Sequence, residues 1–382
     1  MVAAWQAAAA RYPQVVSLDD PMAGVTLAPG AFGSNTMTGG YRLEVSQKLP
    51  YGGKRALRGD NALARASAAR NDVEDTRLQL AESARGVYFD YYLAEKALDV
   101  NAKNLELLAK FKRNATTRFE TGLAPQQDIL QVDVEIGRER DRRLGLDEAR
   151  KIAVARANVL MHRLPESPLP PPPKEMALDP SPPDVSELRS AALARRPDLQ
   201  ALSDRIAAER ASLALADREF YPDFEVMAAY DAIWQEKDLR PQVGVRLNLP
   251  VRQSRRCAAV AEAKARLAER EAELRRLTDQ VNLQVQEAYE RVRRAEQSVR
   301  LYESEILAAA EKNVNAARTA YETGKVPFLT LIEAQRNVTA LHDRHYEALA
   351  DYFRRRAELE RAAGGPLQAP QPLTPSQSKP AE

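Results

Sequence analysis

The feature that most constrains this chain is an eight-residue stretch that occurs twice. Arg118-Phe119-Glu120-Thr121-Gly122-Leu123-Ala124-Pro125 has its second copy at Ala320-Tyr321-Glu322-Thr323-Gly324-Lys325-Val326-Pro327. Each copy ends one long helical pattern and opens another. Each reads as an aromatic last turn, a glycine free to take positive φ just past the helix, and a proline that begins the return helix. A chain built this way must fold around two helical hairpins with like tips.

The helices leading to the tips repeat as well. Leu80, Ala84, Val87, Tyr91, Ala94, Leu98, Asn101, Leu105 and Leu108 are spaced alternately by four and three. Val281, Val285, Ala288, Val292, Ala295, Val299, Tyr302, Ile306 and Ala309 keep the same rhythm, 201 positions later (Val281 against Leu80). The tip glycines differ by 202 (Gly324 against Gly122) and the Leu-Pro pairs by 200 (Leu249 against Leu49). Such a fixed period marks a tandem duplication. A 4-3 rhythm over four heptads is a coiled-coil seam or an amphipathic core stripe. Length decides for the first. Residues 255–321 contain no breaker, and at about 1.5 Å per residue they predict a rod of roughly 100 Å.

In chain order, a short helix ends near Arg11-Tyr12-Pro13, and strands follow at about 22–28 and 41–49, joined by a Gly/Ser/Asn/Thr loop from Gly30 to Gly40. A long helix, the first tip (119–126) and a return helix complete a first repeat over residues 1–164. Residues 165–184, with Pro170 to Pro173 in a row, predict an extended linker. The second repeat, 185–363, has strands at about 223–231 and 242–249 and its tip at 321–327. Residues 364–382 are Pro/Ser/Gln-rich and predict a disordered tail. The fold class is mainly α with a small β part.

Composition excludes several classes. A net charge of +2 gives no nucleic-acid footprint. The single cysteine, Cys257, cannot form an intrachain disulfide. No run of 18 apolar residues and no secretory apolar core is found. Catalytic residues, cofactors and metal sites are not expected: no phosphate loop or nucleophile–base set exists, and His342, His345 and Asp343 are too few for a metal.

The strands point to function. Each alternates apolar and polar residues over a length suited to a transmembrane β-barrel with a wet interior. Four strands cannot close a barrel, so several protomers must share one.

The doubled architecture, the Leu-Pro exits from the strands, the helix start Arg195-Arg196-Pro197-Asp198-Leu199, and the Phe119-Glu-Thr-Gly and Tyr321-Glu-Thr-Gly tips resemble TolC-type outer-membrane efflux proteins. Tyr41 to Arg55 resembles the heavy-metal efflux branch. The resemblance implies a homotrimer in the cell outer membrane with its helical part in the periplasm. Four strands per protomer would form a 12-stranded transmembrane β-barrel above a trimeric α-barrel. The implied partners are outer-membrane lipid, a periplasmic adaptor (membrane fusion protein) docking on the tips, and an inner-membrane pump. Arg118, Thr121, Gly122, Pro125, Thr323, Gly324 and Pro327 would form the docking tips. The positions matching the family's acidic gate are Asp128 and Thr330 for the first site and Gln131 and Glu333 for the second, so each half keeps one acidic residue, Asp128 and Glu333. Asp128 can equally serve the dipole of its own helix start.

Tyr12-Pro13 matches Tyr221-Pro222, which follows a far longer helix, so the repeat predicts further helix and a signal peptide ahead of Met1. The competing reading is a cytoplasmic or periplasmic coiled-coil scaffold, which leaves two amphipathic hairpins at equivalent points unexplained. A periplasmic adaptor would carry one helical hairpin, without this duplication.

Overall fold

A computed structural model describes residues 1–29 and 40–367. The Gly30–Gly40 loop, apart from Gly40, and the tail from 368 onward lie outside the described residues. The chain is mostly helical with one small antiparallel sheet, in two compact units.

The first unit comprises Met1–Thr76 and Pro197–Gln280. It opens with α1 (Val2–Ala9) and α2 (Arg11–Val16), so the predicted single helix is broken at Ala10 and runs on through Pro13. Proline is tolerated there because the first turn of a helix needs no N–H from it. Strands β1 (Met22–Leu27), β2 (Tyr41–Leu49), β3 (Phe224–Asp231) and β4 (Pro241–Leu247) pair in the order β1-β2-β3-β4. The two hairpins thus meet along β2 and β3, with Leu49 opposite Phe224 and Leu43 opposite Tyr230.

This register sorts the side chains cleanly. Ala23, Val25 and Leu27 share a face with Leu43, Val45, Val226, Ala228, Val243 and Val245. Gln47 is the one charged or amide-bearing residue among the paired positions of that face, and its Nε2 donates to the Asp19 carbonyl at 2.8 Å. The other face carries Arg42, Glu44, Lys48, Glu225 and Arg246, with Arg246 paired to Glu225 at 2.9 Å and to Glu44 at 3.9 Å.

The sheet feeds α3 (Lys54–Glu120) through a buried ionic junction. The Lys54 ammonium, 1% exposed, reaches Asp223 at 2.9 Å, Glu219 at 3.5 Å and the Tyr221 carbonyl at 3.1 Å. Tyr51 stacks on Tyr221 with centroids 4.8 Å apart. Within this unit, the early part of α3 lies against α6 (Pro197–Arg218) through Asn71 and Ser67 to Asp204 and Arg205 to Asp72.

The second unit comprises Arg77–Arg196 and the chain from Val281 onward. It holds the rest of α3, α4 (Gln126–Leu160), α5 (Val185–Arg195), the end of α7 (Gln253–Leu301), α8 (Leu307–Glu322) and α9 (Phe328–Ala362). Between α7 and α8, Tyr302–Ile306 forms a π-turn. The unbroken rhythm read from 255 to 321 is therefore corrected: the helix takes in one extra residue, and Ala310 is buried where Ala309 was expected. From Val281 to Val299 the seam of the second half is packed, with Val281, Val285, Val292 and Val299 at 0% exposure, while Tyr302 and Ile306 are half-buried. Its first-half counterpart differs at its start: Leu80 is 52% exposed and Ala84 is exposed too, while Tyr91, Ala94 and Leu108 are buried.

Residues 165–184 run without helix or strand, and they are tied down. Prolines supply carbonyls but no N–H groups, so the helices must provide the donors. Asn158 donates to the carbonyls of Pro165 and Ser167, Tyr91 to Pro170, Lys96 to Lys174, Tyr352 to Asp179 and Arg356 to Pro180. Asn158, Lys96 and Arg356 are themselves buried.

Candidate functional site

The two tips have one backbone geometry. Gly122 and Gly324 both sit at φ 71°. Gly122 N–H donates to Phe119 O at 2.9 Å and Leu123 N–H to Arg118 O at 2.7 Å; Gly324 N–H donates to Tyr321 O at 2.9 Å and Lys325 N–H to Ala320 O at 2.8 Å. This pair of bonds satisfies the last helical carbonyls and requires the left-handed residue that glycine provides. The hydroxyls of Thr121 and Thr323 return to the carbonyls three and four residues back, at 3.0–3.1 Å in both. Pro125 and Pro327 are extended and cap the return helices, which begin at Gln126 and Phe328. In the first turns of α4 and α9, the N–H groups of Asp128 and Thr330 donate to the carbonyls of these prolines.

Side chains make the tips different. Tyr321 is buried and packs edge-on against Phe328 at 5.0 Å, in a cluster with Leu108, Phe111, Val132, Leu331 and Ile332. Phe119, at the equivalent place in the first tip, is exposed. The Tyr321 hydroxyl donates to Asp128 Oδ2 at 3.0 Å, and Asp128 is only 8% exposed. Burial, then the Asp128 carboxylate, pushes the Tyr321 phenol up to about 12, so it remains a donor at neutral pH. Arg118 lies over the Tyr321 ring at 5.1 Å and donates to the Glu322 carbonyl at 2.8 Å. Asp128, Tyr321 and Arg118 thus tie the first hairpin to the second.

Glu333 is exposed on α9 and is not drawn into this group. Above the tip the structure adds rungs that sequence reading did not single out. Glu135, buried on α4, is clasped by Arg336 of α9 through both carboxylate oxygens, and by Arg138 at 2.9 Å. The hydrogen bonds from Arg336, outweighing burial, hold the Glu135 carboxyl below its ordinary range. Gln335 donates to Asn104 at 3.0 Å, with both residues buried. Arg142 pairs with Asp343, whose carboxyl is raised by burial despite that arginine. The signal for Glu135 was a charged residue one heptad beyond Asp128; its partner could not be read from spacing.

His342 and His345 diverge: His342 lies 3.6 Å from Glu311, His345 3.3 Å from Glu303. Among the described residues no group of three or more His, Cys, Asp or Glu is placed to hold a metal.

The apolar sheet face is a second candidate surface. Val25, Val45, Val226 and Val245 are exposed on it, and Val243 is 90% exposed. Among the described residues no helix is long and apolar enough to cross a membrane, which leaves the sheet unaddressed.

Comparison with known proteins bears on both surfaces. Residues 188–365 match the family model for outer membrane efflux protein. No curated protein sequence matches the chain. The outer-membrane channel OprN superposes with a TM-score of 0.77 at 19% identity, covering 96% of this chain and 86% of that one. The outer membrane protein VceC of Vibrio cholerae gives 0.77 at 18%, covering 96% and 91%. CusC gives 0.77 at 15%, covering 96% and 88%. The chain therefore carries an outer membrane efflux protein domain in its second half, on a fold shared over nearly its whole length with outer-membrane channels.

Proposed function

We propose that this protein is the outer-membrane channel of a tripartite efflux system, a passive duct for small molecules or metal ions. The observation that carries this reading is the sheet. An antiparallel sheet in water turns its apolar face to a core. Here that face is exposed, the ion pairs occupy the other face, and edge strands β1 and β4 each have one neighbour. Three copies joined edge to edge would give a closed 12-stranded barrel, apolar towards lipid and polar within. Closure would also remove the open edges.

The helices of three copies would form a hollow α-barrel in the periplasm. Exposed apolar residues on α4 (Leu130, Val134, Leu144 and Ile152) and Leu80 on α3 supply surface for packing between copies. The tips, with Arg118, Thr121, Gly122, Pro125, Thr323, Gly324 and Pro327, would meet a periplasmic adaptor linked to an inner-membrane pump. Asp128, held by Tyr321, acts as the latch of the gate, and Glu333 adds an exposed carboxylate ring that favours cations.

Extraction from isolated outer membranes in mild detergent, followed by native mass determination, tests the reading. A trimer is expected, and reconstitution should yield ion conductance. A monomer recovered from the aqueous fraction overturns it and leaves the scaffold reading in its place.

A further inference from the structure

One end of the sheet joins exposed apolar side chains to an excess of positive charge. Leu49, Phe224 and Leu247 form the last row of paired residues there. Just past that row Leu249 is 66% and Val251 81% exposed. The four segments that meet the sheet at this end (17–22, 48–58, 217–224 and 247–257) carry eight Lys and Arg against five Asp and Glu. At the opposite end, the connection between β3 and β4 (232–240) balances Lys237 and Arg240 against Glu236 and Asp238. The folded chain does not neutralise the excess. Lys54 takes Asp223 and Glu219, and Arg256 donates to the Glu219 carbonyl at 2.7 Å rather than to a carboxylate. Arg218 lies over the Tyr221 ring at 5.9 Å. Arg252 and Arg255 are exposed, and among the described residues neither side chain has an ion pair or hydrogen bond. Neither α3 nor α7 has an acidic residue in its first turn, so these cations also stand against the helix dipoles.

We propose that this end of the sheet is a collar for anionic phospholipid, with Leu249 and Val251 entering the acyl region and Arg252 and Arg255 holding headgroup phosphates. The proposal rests on the duct reading given above and names the lipid selected at one rim of the apolar face. Continuity is the first argument. Leu249 and Val251 prolong the apolar alternation of Val243, Val245 and Leu247 beyond the last paired row. Charge complementarity is the second. A guanidinium binds two phosphate oxygens through parallel N–H bonds, and its stem lies along apolar surface while the head reaches a polar plane. Each basic side chain near an anionic lipid surface adds about fivefold in affinity. A zwitterionic lipid offers less, because its own ammonium competes for the phosphate.

The test is a titration of the detergent-solubilised full chain with phosphatidylglycerol and, separately, with phosphatidylcholine of the same acyl chains, read by native mass. Phosphatidylglycerol should bind at least about tenfold more tightly. Arg252→Gln with Arg255→Gln alters two exposed side chains without breaking a contact. This pair should lower phosphatidylglycerol affinity at least about tenfold and leave phosphatidylcholine unchanged. Arg275→Gln with Arg276→Gln makes the same charge change roughly 30 Å farther along α7 and should have no effect. Glycerol phosphate, a headgroup without tails, should fail to compete. A trimer that binds both lipids alike overturns the collar and leaves the duct reading intact. So does unchanged affinity in the Arg252 and Arg255 variant, an equal loss in the Arg275 and Arg276 variant, or displacement by glycerol phosphate. An aqueous monomer that binds neither lipid overturns both.

Discussion

The two helical tips share a backbone and differ in nearly everything attached to it. Both close with the same glycine geometry and the same threonine back-bonds. Yet Arg118, Phe119, Gln126 and Asp128 of the first face Ala320, Tyr321, Phe328 and Thr330 of the second. The second tip buries its aromatics in a common cluster, while the first exposes Phe119 and supplies the carboxylate that the second lacks. Duplication thus preserved the loop, whose conformation tolerates little change, and let the side chains become complementary. The two tips are complementary rather than two equal halves.

Making the second tip resemble the first should do the most damage. Phe328→Gln is expected to cost about 3–5 kcal/mol, the usual penalty for removing a large buried aromatic. The reverse change, Gln126→Phe, should stay within about 0.5 kcal/mol because that position is exposed. Denaturant titration of the detergent-solubilised protein measures both, and equal losses would break the asymmetry. Next comes Tyr321→Phe, which strips the buried Asp128 of its hydroxyl donor and should weaken the latch by about 1–3 kcal/mol. Channel recordings should show it open more often, whereas Phe119→Leu should behave as the parent does.

The shared backbone makes a sharper demand. A methyl group at Gly122 or Gly324 would meet no atom within 4 Å, so only the left-handed conformation opposes it. Gly122→Ala and Gly324→Ala should each cost about 1–2 kcal/mol. A clear difference between them in thermal unfolding would mean the loops are not equivalent. The smallest effect concerns pH. Glu135 is held below its ordinary value by Arg336, so its contribution is complete above the unfolded carboxylate value of about 4.3 and fades as pH falls through the lower folded value. Arg336 is nearly half exposed, which limits the loss to roughly 1 kcal/mol. Glu135→Gln should flatten that part of the acid stability curve, and an unchanged curve would remove Glu135 from the latch region.

Local pattern made much of the fold readable. The alternation in Tyr41–Leu49 and Phe224–Asp231 is a period-two signal, and the paired glycines announce their turns. What escaped was tertiary. Nothing near Tyr321 in sequence indicates Asp128, 193 positions away. Nothing around Lys54 in the sequence sets it apart, and only the fold brings Asp223 and Glu219 to it. The π-turn was present in the sequence as the mismatch between intervals of 201 and 202, but spacing alone does not say where in the helix an added residue is absorbed. The exposure of Leu80 likewise depends on which helices reach it.

The proline-rich segment between the halves has a bearing on how such chains avoid one another. Exposed strand edges invite pairing by any extended peptide, and β1 and β4 offer that invitation. The stretch from Pro165 to Asp184 is also extended, but a run of prolines presents few N–H groups, and several of its carbonyls are already claimed by Asn158, Tyr91, Lys96, Tyr352 and Arg356. A passing strand would find little to pair with. If three copies assemble as proposed, backbone pairing would be confined to the sheet edges, where recruitment of a sister chain closes the barrel, and disfavoured along the connector.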